Sequence, residues 1–310
     1  MIPFSGAQFQ IFYQDEMVPV LSQLNKHRFH IIRLLAILCG VFILGLLLQV
    51  FLSLFVLTLL FIGGSLYGFY YVATMWLNFK LACQYSLTSL MMKYFMQTPE
   101  IMNLSFRGDQ CIDSKIYLES GFFSENVTNY EGNGLMTGNI GEVSFSLSKL
   151  SVSVTSNIDG QLKPQFNGFF IHGKLPFKTS GAAIIWSRRE KQEVYKAIRK
   201  FTWLGAENKD DEQSNAHFKE SFATYASPDT PASSILSEDI KDLMIRFYKK
   251  TGRALFFSFV ENDVFVAVSA PENLLTMPLF KKFRPDISIL TFLDIHLVLF
   301  SILQEFDFHH

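Results

Sequence analysis

Residues 31–79 read IIRLLAILCGVFILGLLLQVFLSLFVLTLLFIGGSLYGFYYVATMWLNF. After Arg33 no charged residue appears until Lys80. At a helical rise of about 1.5 Å per residue the stretch is far too long for one membrane crossing. A bilayer core takes about 20 apolar residues per helix, so two crossings fit. They are expected at about 31–52 and 54–78. Gln49 and Ser53 are the polar residues nearest the middle and mark the turn. A turn at Gly63-Gly64 would leave one long helix and one very short one.

The flanks of this stretch set its orientation. Lys26, Arg28 and Arg33 precede it, Lys80 and Lys93 follow it, and the turn carries none. Positive charge collects on the cytoplasmic side, so both termini are expected there, in a multi-pass protein of the inner membrane. Those charges either meet anionic headgroups or only set topology, and the simpler topological role is expected. Tyr67, Tyr70, Tyr71 and Trp76 form an aromatic belt at the inner end of the second helix. Gly64 and Gly68 have the GxxxG spacing that lets helices approach closely. No ionisable residue lies deep in the span, so an ion or proton path is not expected.

Upstream, residues 1–30 form an N-terminal amphipathic segment. Phe9, Phe12, Tyr13, Val18, Leu21 and Leu24 recur at helical spacing, with Pro19 between them. The expectation is a short helix, a break, then a second helix from about residue 19. This start lacks the basic n-region and cleavage site of a secretory signal. Downstream, 79–104 reads as a juxtamembrane helix that Pro99 ends, with Leu87, Leu90, Met91, Tyr94 and Phe95 on its apolar stripe.

From 105 to 310 the pattern becomes that of an α+β domain with an antiparallel sheet and packed helices. In residues 143–154, Val143, Phe145 and Leu147, then Leu150, Val152 and Val154, alternate with polar residues, as in a half-buried strand. Asp159-Gly160 reads as a hairpin turn, and QFNGFFIHGKLPF and SGAAIIWSR as two more strands. Residues 188–204 read as a helix, and GAENKDDEQSNAH as a loop. Ser237 before Glu238-Asp239 is an N-cap, and Gly252 closes that helix. ALFFSFVENDVFVAVSAP is a hairpin turning at Glu261-Asn262-Asp263. The apolar segment 286–305 is expected to be a helix packed on the domain, with a third membrane contact as the alternative, since Asp294 and His296 interrupt it.

The 310 residues carry a net charge of −1, which gives no basic surplus for nucleic acid. The cysteines, Cys39, Cys83 and Cys111, match no metal or disulfide spacing and suit a reducing compartment. His172 and His217 stand outside any HxxxH or HExxH pattern. His309 and His310 form a terminal pair of the kind that picks up metal adventitiously. GNGLMTG lacks the GKS/GKT of a phosphate loop and reads as a hairpin turn. No GxSxG nucleophile elbow is present. Asn103-Leu-Ser and Asn126-Val-Thr match the glycosylation pattern, and in a cytosolic domain would stay unmodified. No catalytic, cofactor-binding or metal residue is assigned.

The order of FQIFYQDEMVPVLSQLNKHR before a hairpin, then YEGNGLMTGNIGEVSFS, QFNGFFIHGKLPFK, HFKESFATYASPDTPASSILSEDIKDLMIRFYKKTG and FFSFVENDVFVAVSAP resembles the bacterial membrane-associated domain of unknown function family 3137. The resemblance implies an N-terminal hairpin and a cytosolic domain, and brings no activity or catalytic residues. The expected function is a cytosolic binding or scaffolding domain in a membrane assembly, with the bilayer and a protein partner or a second copy as partners. Exposed sheet edges would recruit a strand and the 79–98 helix would support self-association. The alternative is a membrane-tethered enzyme acting on lipid headgroups or peptides. A cleft lined by His172, His217 or an acid pair would favour it.

Overall fold

The computed structural model describes residues 6–308 apart from 53–54, 124–126, 156–159, 178–180, 189–204, 232–234, 271–273 and 281–284. The readings made at Ser53, Asn126, Asp159, His309 and His310, and nearly all of the 188–204 helix, lie outside the described residues. The chain divides into two compact units. Of the described residues, one holds those up to 94 and 275–289, and the other those in 95–274 and 290–308.

The first unit is built on a helical hairpin. Helix α1 (Gly6–Phe12) passes through one π turn, Tyr13–Met17, into α2 (Val18–Leu52). Helix α3 (Phe55–Met96) returns alongside. The expected break at Pro19 is absent. A proline ring clashes with the carbonyl four residues back, here that of Asp15. The π turn takes up the misfit, because the Val18 N–H donates to the Tyr13 carbonyl, five residues back instead of four. Met17 at the end of the π turn and Leu21, Leu24 and Ile31 on α2 are buried at spacings of four, three and seven. Val72, Phe79, Cys83 and Leu87 do the same on α3. Helix α2 ends at Leu52 and α3 starts at Phe55, where the two expected crossings meet. Both helices are long and apolar enough to cross a membrane.

The second unit is a nine-stranded antiparallel sheet in the order β1-β2-β3-β4-β9-β8-β5-β7-β6. The strands are β1 (Ile101–Arg107), β2 (Val127–Ile140), β3 (Val143–Thr155), β4 (Leu162–Lys174), β5 (Ala182–Ser187), β6 (Glu207–Asn208), β7 (Phe222–Ala226), β8 (Leu255–Val260) and β9 (Asp263–Ser269). Strand β1 begins inside the segment read as juxtamembrane helix. The helices are α4 (Ser114–Glu119), α5 (Ala216–Ser221), α6 (Glu238–Thr251) and α7 (Pro285–Phe308). Two further readings are corrected. GNGLMTG lies inside β2, bulged between Asn133 and Met136, and the turn comes later at Gly141, where φ is +56°. The 205–217 stretch is not wholly loop: it holds β6 and a 3₁₀ turn at Asp210–Glu212.

Both sheet faces carry a core, at different places. Helix α7 packs on one face, where Phe300 meets Phe145 at 5.4 Å and Phe306 meets Phe257 at 6.0 Å. Although α7 qualifies as a span by length and composition, 67% of its apolar window is buried, against 11% and 17% for the hairpin helices. We therefore read it as a core helix. The opposite face carries a cluster of Tyr117, Phe122, Phe123, Phe166, Phe170 and Phe256 around α4. Strand β3 serves both. Val143, Phe145 and Leu147 point to α7, while Leu150 and Val152 join the aromatic cluster. The buried phase therefore switches between Leu147 and Leu150 within one unbroken strand.

Candidate functional site

That switch leaves one corner of the sheet bare. On the face away from α7, the aromatic cluster covers β3 from Leu150 onward; the earlier residues of that face are Ser144, Ser146 and Ser148, the last of them buried and accepting from the Ile112 N–H. Register places polar partners beside them. Asn139, Ser144, Lys174 and Asp263 line up across β2, β3, β4 and β9. Thr137, Ser146 and His172 form the next row, ending on Phe265. Up to β4 these rows line an open groove of about 330 Å³, with Asp263 and Phe265 on the strand beyond. Asn103 closes one side from the edge strand. It sits at φ +52° where β1 bulges off β2, a backbone state asparagine tolerates better than most residues.

Asp263 links the charged groups at the groove's end. His172 Nε2 lies 2.7 Å from its Oδ1, and Lys174 Nζ donates to both carboxylate oxygens at 2.9 and 3.0 Å. Burial alone would push the Asp263 carboxyl up, but hydrogen bonds from His172 and Lys174 outweigh it and hold the group below the ordinary carboxylate range. The His172 ring also stacks on its cross-strand neighbour Phe265 at 5.0 Å. With its position fixed by ring and carboxylate, the imidazole has little freedom to swing. In the neutral tautomer that donates from Nε2, Nδ1 is an acceptor. The groove thus offers hydroxyls, amides, one ammonium and an oriented imidazole to a polar ligand.

Other polar clusters hold the fold together. Buried Asp210 accepts from the Thr224 backbone at 2.9 Å and from Arg188, tying the far edge of the sheet. Burial and the nearby Asp113 charge both push the Cys111 thiol up, the opposite of an activated nucleophile. Tyr130 is raised chiefly by burial, and its hydroxyl donates to the Ile112 carbonyl at 2.7 Å. His217 is exposed beside Glu220 at 3.5 Å, well apart from the groove in sequence and in lining. Among the described residues no three His, Cys, Asp or Glu side chains are grouped to hold a metal.

The residues singled out from sequence fall on the hairpin. Lys26 and Arg33 are exposed on α2, with Arg28 and Lys80 partly covered. Gly68 sits against Leu38, where an added Cβ would lie 2.5 Å from Cδ2, and nothing lies within 4 Å of a Cβ at Gly64. The glycine on α2 that meets the partner helix is Gly45, against Phe61. Of the groove lining, sequence reasoning weighed the side chain of His172 alone as a candidate for chemistry, and met Asn103 only as a glycosylation match. Lys174 and Asp263 went unmarked because they are 89 residues apart and meet only through the β4–β9 pairing.

Two apolar helices of membrane-crossing length with an antiparallel α+β domain define a membrane-associated protein with a separate folded domain. Its sequence matches the family described as Protein of unknown function (DUF3137) over residues 164–307, from β4 to the end of α7, and that match supports membership of this family. No curated protein and no solved structure matches the chain.

Proposed function

We propose that this protein is a membrane-anchored binding protein. In this reading α2 and α3 cross the bilayer as a hairpin with both chain ends on the cytoplasmic side, and the groove takes a polar segment of a protein partner. The observation that carries it is the groove itself, a polar corner of a sheet whose central strands are covered by α7 on one face and by the Tyr117 cluster on the other. A photo-crosslinking residue at Ser144, in the full chain in its membrane, tests it. The expected result is a discrete protein adduct that Lys174→Glu abolishes. A Ser144 probe that yields no adduct, or one indifferent to Lys174, overturns it.

One observation supports an enzymatic reading. His172 is held by Asp263, as a general base is held by its orienting carboxylate, and Ser146 is its register partner on the next strand. A membrane-tethered enzyme acting on lipid headgroups or peptides would use that pair. Turnover of such substrates by the purified chain, lost in His172→Ala, would establish it.

A further inference from the structure

The hairpin carries its own depth gauge. Leu38 packs on Gly68 and Phe61 on Gly45, so seven residues forward on α2 match seven back on α3. Counting on in step, Lys26 lies about twelve residues before Leu38 and Lys80 about twelve after Gly68, which places the two lysines at one level. The Lys93–Glu16 ion pair of 2.6 Å, further along the same helices, agrees with this register. Arg33, His30 and Trp76 follow within about two turns, and Tyr70 and Tyr71 stand exposed just beyond. From residue 17 to residue 99 the chain has no aspartate or glutamate, so the basic level faces no acid of its own helices.

Resting on the hairpin reading above, we infer that Lys26, Arg33 and Lys80 form a binding surface for anionic phospholipid headgroups. The distances fit a placement with Arg33 at the inner boundary of the bilayer core. From Arg33 to the end of α2 is about 30 Å at helical rise, the thickness of a bilayer core. The aromatic residues then fall at the headgroup boundary, with the lysines just outside it. The remaining length of α1 and α2, from Gly6 to Lys26, is about 30 Å and emerges into water. That emergent part is where Glu16 pairs with Lys93 and where the polar residues of α2 concentrate. Positional charge sets topology in any hairpin, but basic residues of both antiparallel helices coinciding at one level concentrate positive charge at one depth, which a lipid surface of opposite charge fits.

The test uses the full chain, purified in detergent and exchanged into vesicles of phosphatidylcholine alone or mixed with phosphatidylglycerol. Flotation with phosphatidylcholine vesicles after an alkaline wash reports insertion, and lipid retained on re-extraction reports headgroup preference. The wild type should insert in both and retain phosphatidylglycerol above its bulk share. Each of Lys26→Gln, Arg33→Gln and Lys80→Gln should lower that preference about fivefold, the effect of about 1 kcal/mol per basic residue. Lys26→Arg with Lys80→Arg should keep it. Insertion without any preference overturns the headgroup surface and leaves the hairpin standing. Failure to insert overturns both. Displacement of the lipid by inorganic phosphate would make this a free-anion site and overturn the lipid assignment.

Discussion

His296 shows what burial does to a single side chain. Its ring stacks on Phe292 at 3.9 Å and on Phe95 at 5.2 Å, and meets the edge of Phe169 at 4.9 Å. Nδ1 donates to the Phe292 carbonyl at 2.8 Å, and Nε2 has no partner among the described residues. Burial drives its pKa down to about 4, against a weaker upward pull from that hydrogen bond. The unfolded chain therefore binds a proton the folded chain refuses. Stability is full above the ordinary histidine value near 6.5 and falls with pH down to about 4, by at most about 3 kcal/mol. Thermal unfolding of the full chain in detergent should show this slope, and His296→Leu should flatten it; an unchanged slope would refute the assignment. Asp263 works at lower pH. Its folded carboxyl is depressed, so its contribution is present above about 3.9 and is lost as pH falls through the folded value. Asp263→Asn should lower the melting temperature by a few degrees at neutral pH, and reduce acid sensitivity below pH of about 4. The two residues differ in how far sequence could reach them. An isolated histidine in an apolar helix already suggests a core group, whereas the Asp263–His172 pairing spans 91 residues and exists only because β4 and β9 are neighbours.

At the scale of the element, local chemistry was legible wherever it decided the outcome alone. Helix α6 is such a case: Ser237 accepts from the Ile240 N–H, and Gly252 closes the helix at φ +64°. Ser237→Ala should cost about 1 kcal/mol in thermal unfolding, as loss of an N-cap does. The alternation in β3 was equally visible, including its change of phase after Leu147. What the phase change meant was hidden, because two separate segments, α7 and the α4 region, supply the two covers. Proline 19 looked like a break because the i−4 clash is a local signal, while the π turn that absorbs it costs only one re-registered hydrogen bond. The hairpin glycines give a sharper contrast. A Cβ at Gly68 meets the tip of Leu38, which can rotate away, but a Cβ at Gly45 would lie 2.7 Å from the Phe61 Cβ, which cannot. In detergent, Gly45→Ala should lower the melting temperature clearly more than Gly68→Ala, and Gly64→Ala should leave it unchanged. Equal losses at Gly64 and Gly45 would contradict the helix register.

For the molecule as a whole, the question is which side of the membrane each end occupies. The structure brings α2 and α3 into antiparallel contact, so whichever side receives residue 26 receives residue 80 as well. Basic residues at that level and their absence from the turn favour the cytoplasmic side. Sequence periodicity could suggest two apolar helices and a polarity, whereas the register between the helices needed the contacts at Gly45 and Gly68. Reporter fusions test the result. A reporter that functions only in the reducing interior should be active when joined after Lys80 or at the C-terminus, and silent when placed at the 53–54 turn. One that functions only outside should give the reverse pattern. Activity outside from the Lys80 fusion would mean that the chain crosses an odd number of times, and the antiparallel hairpin would no longer describe how it meets the bilayer.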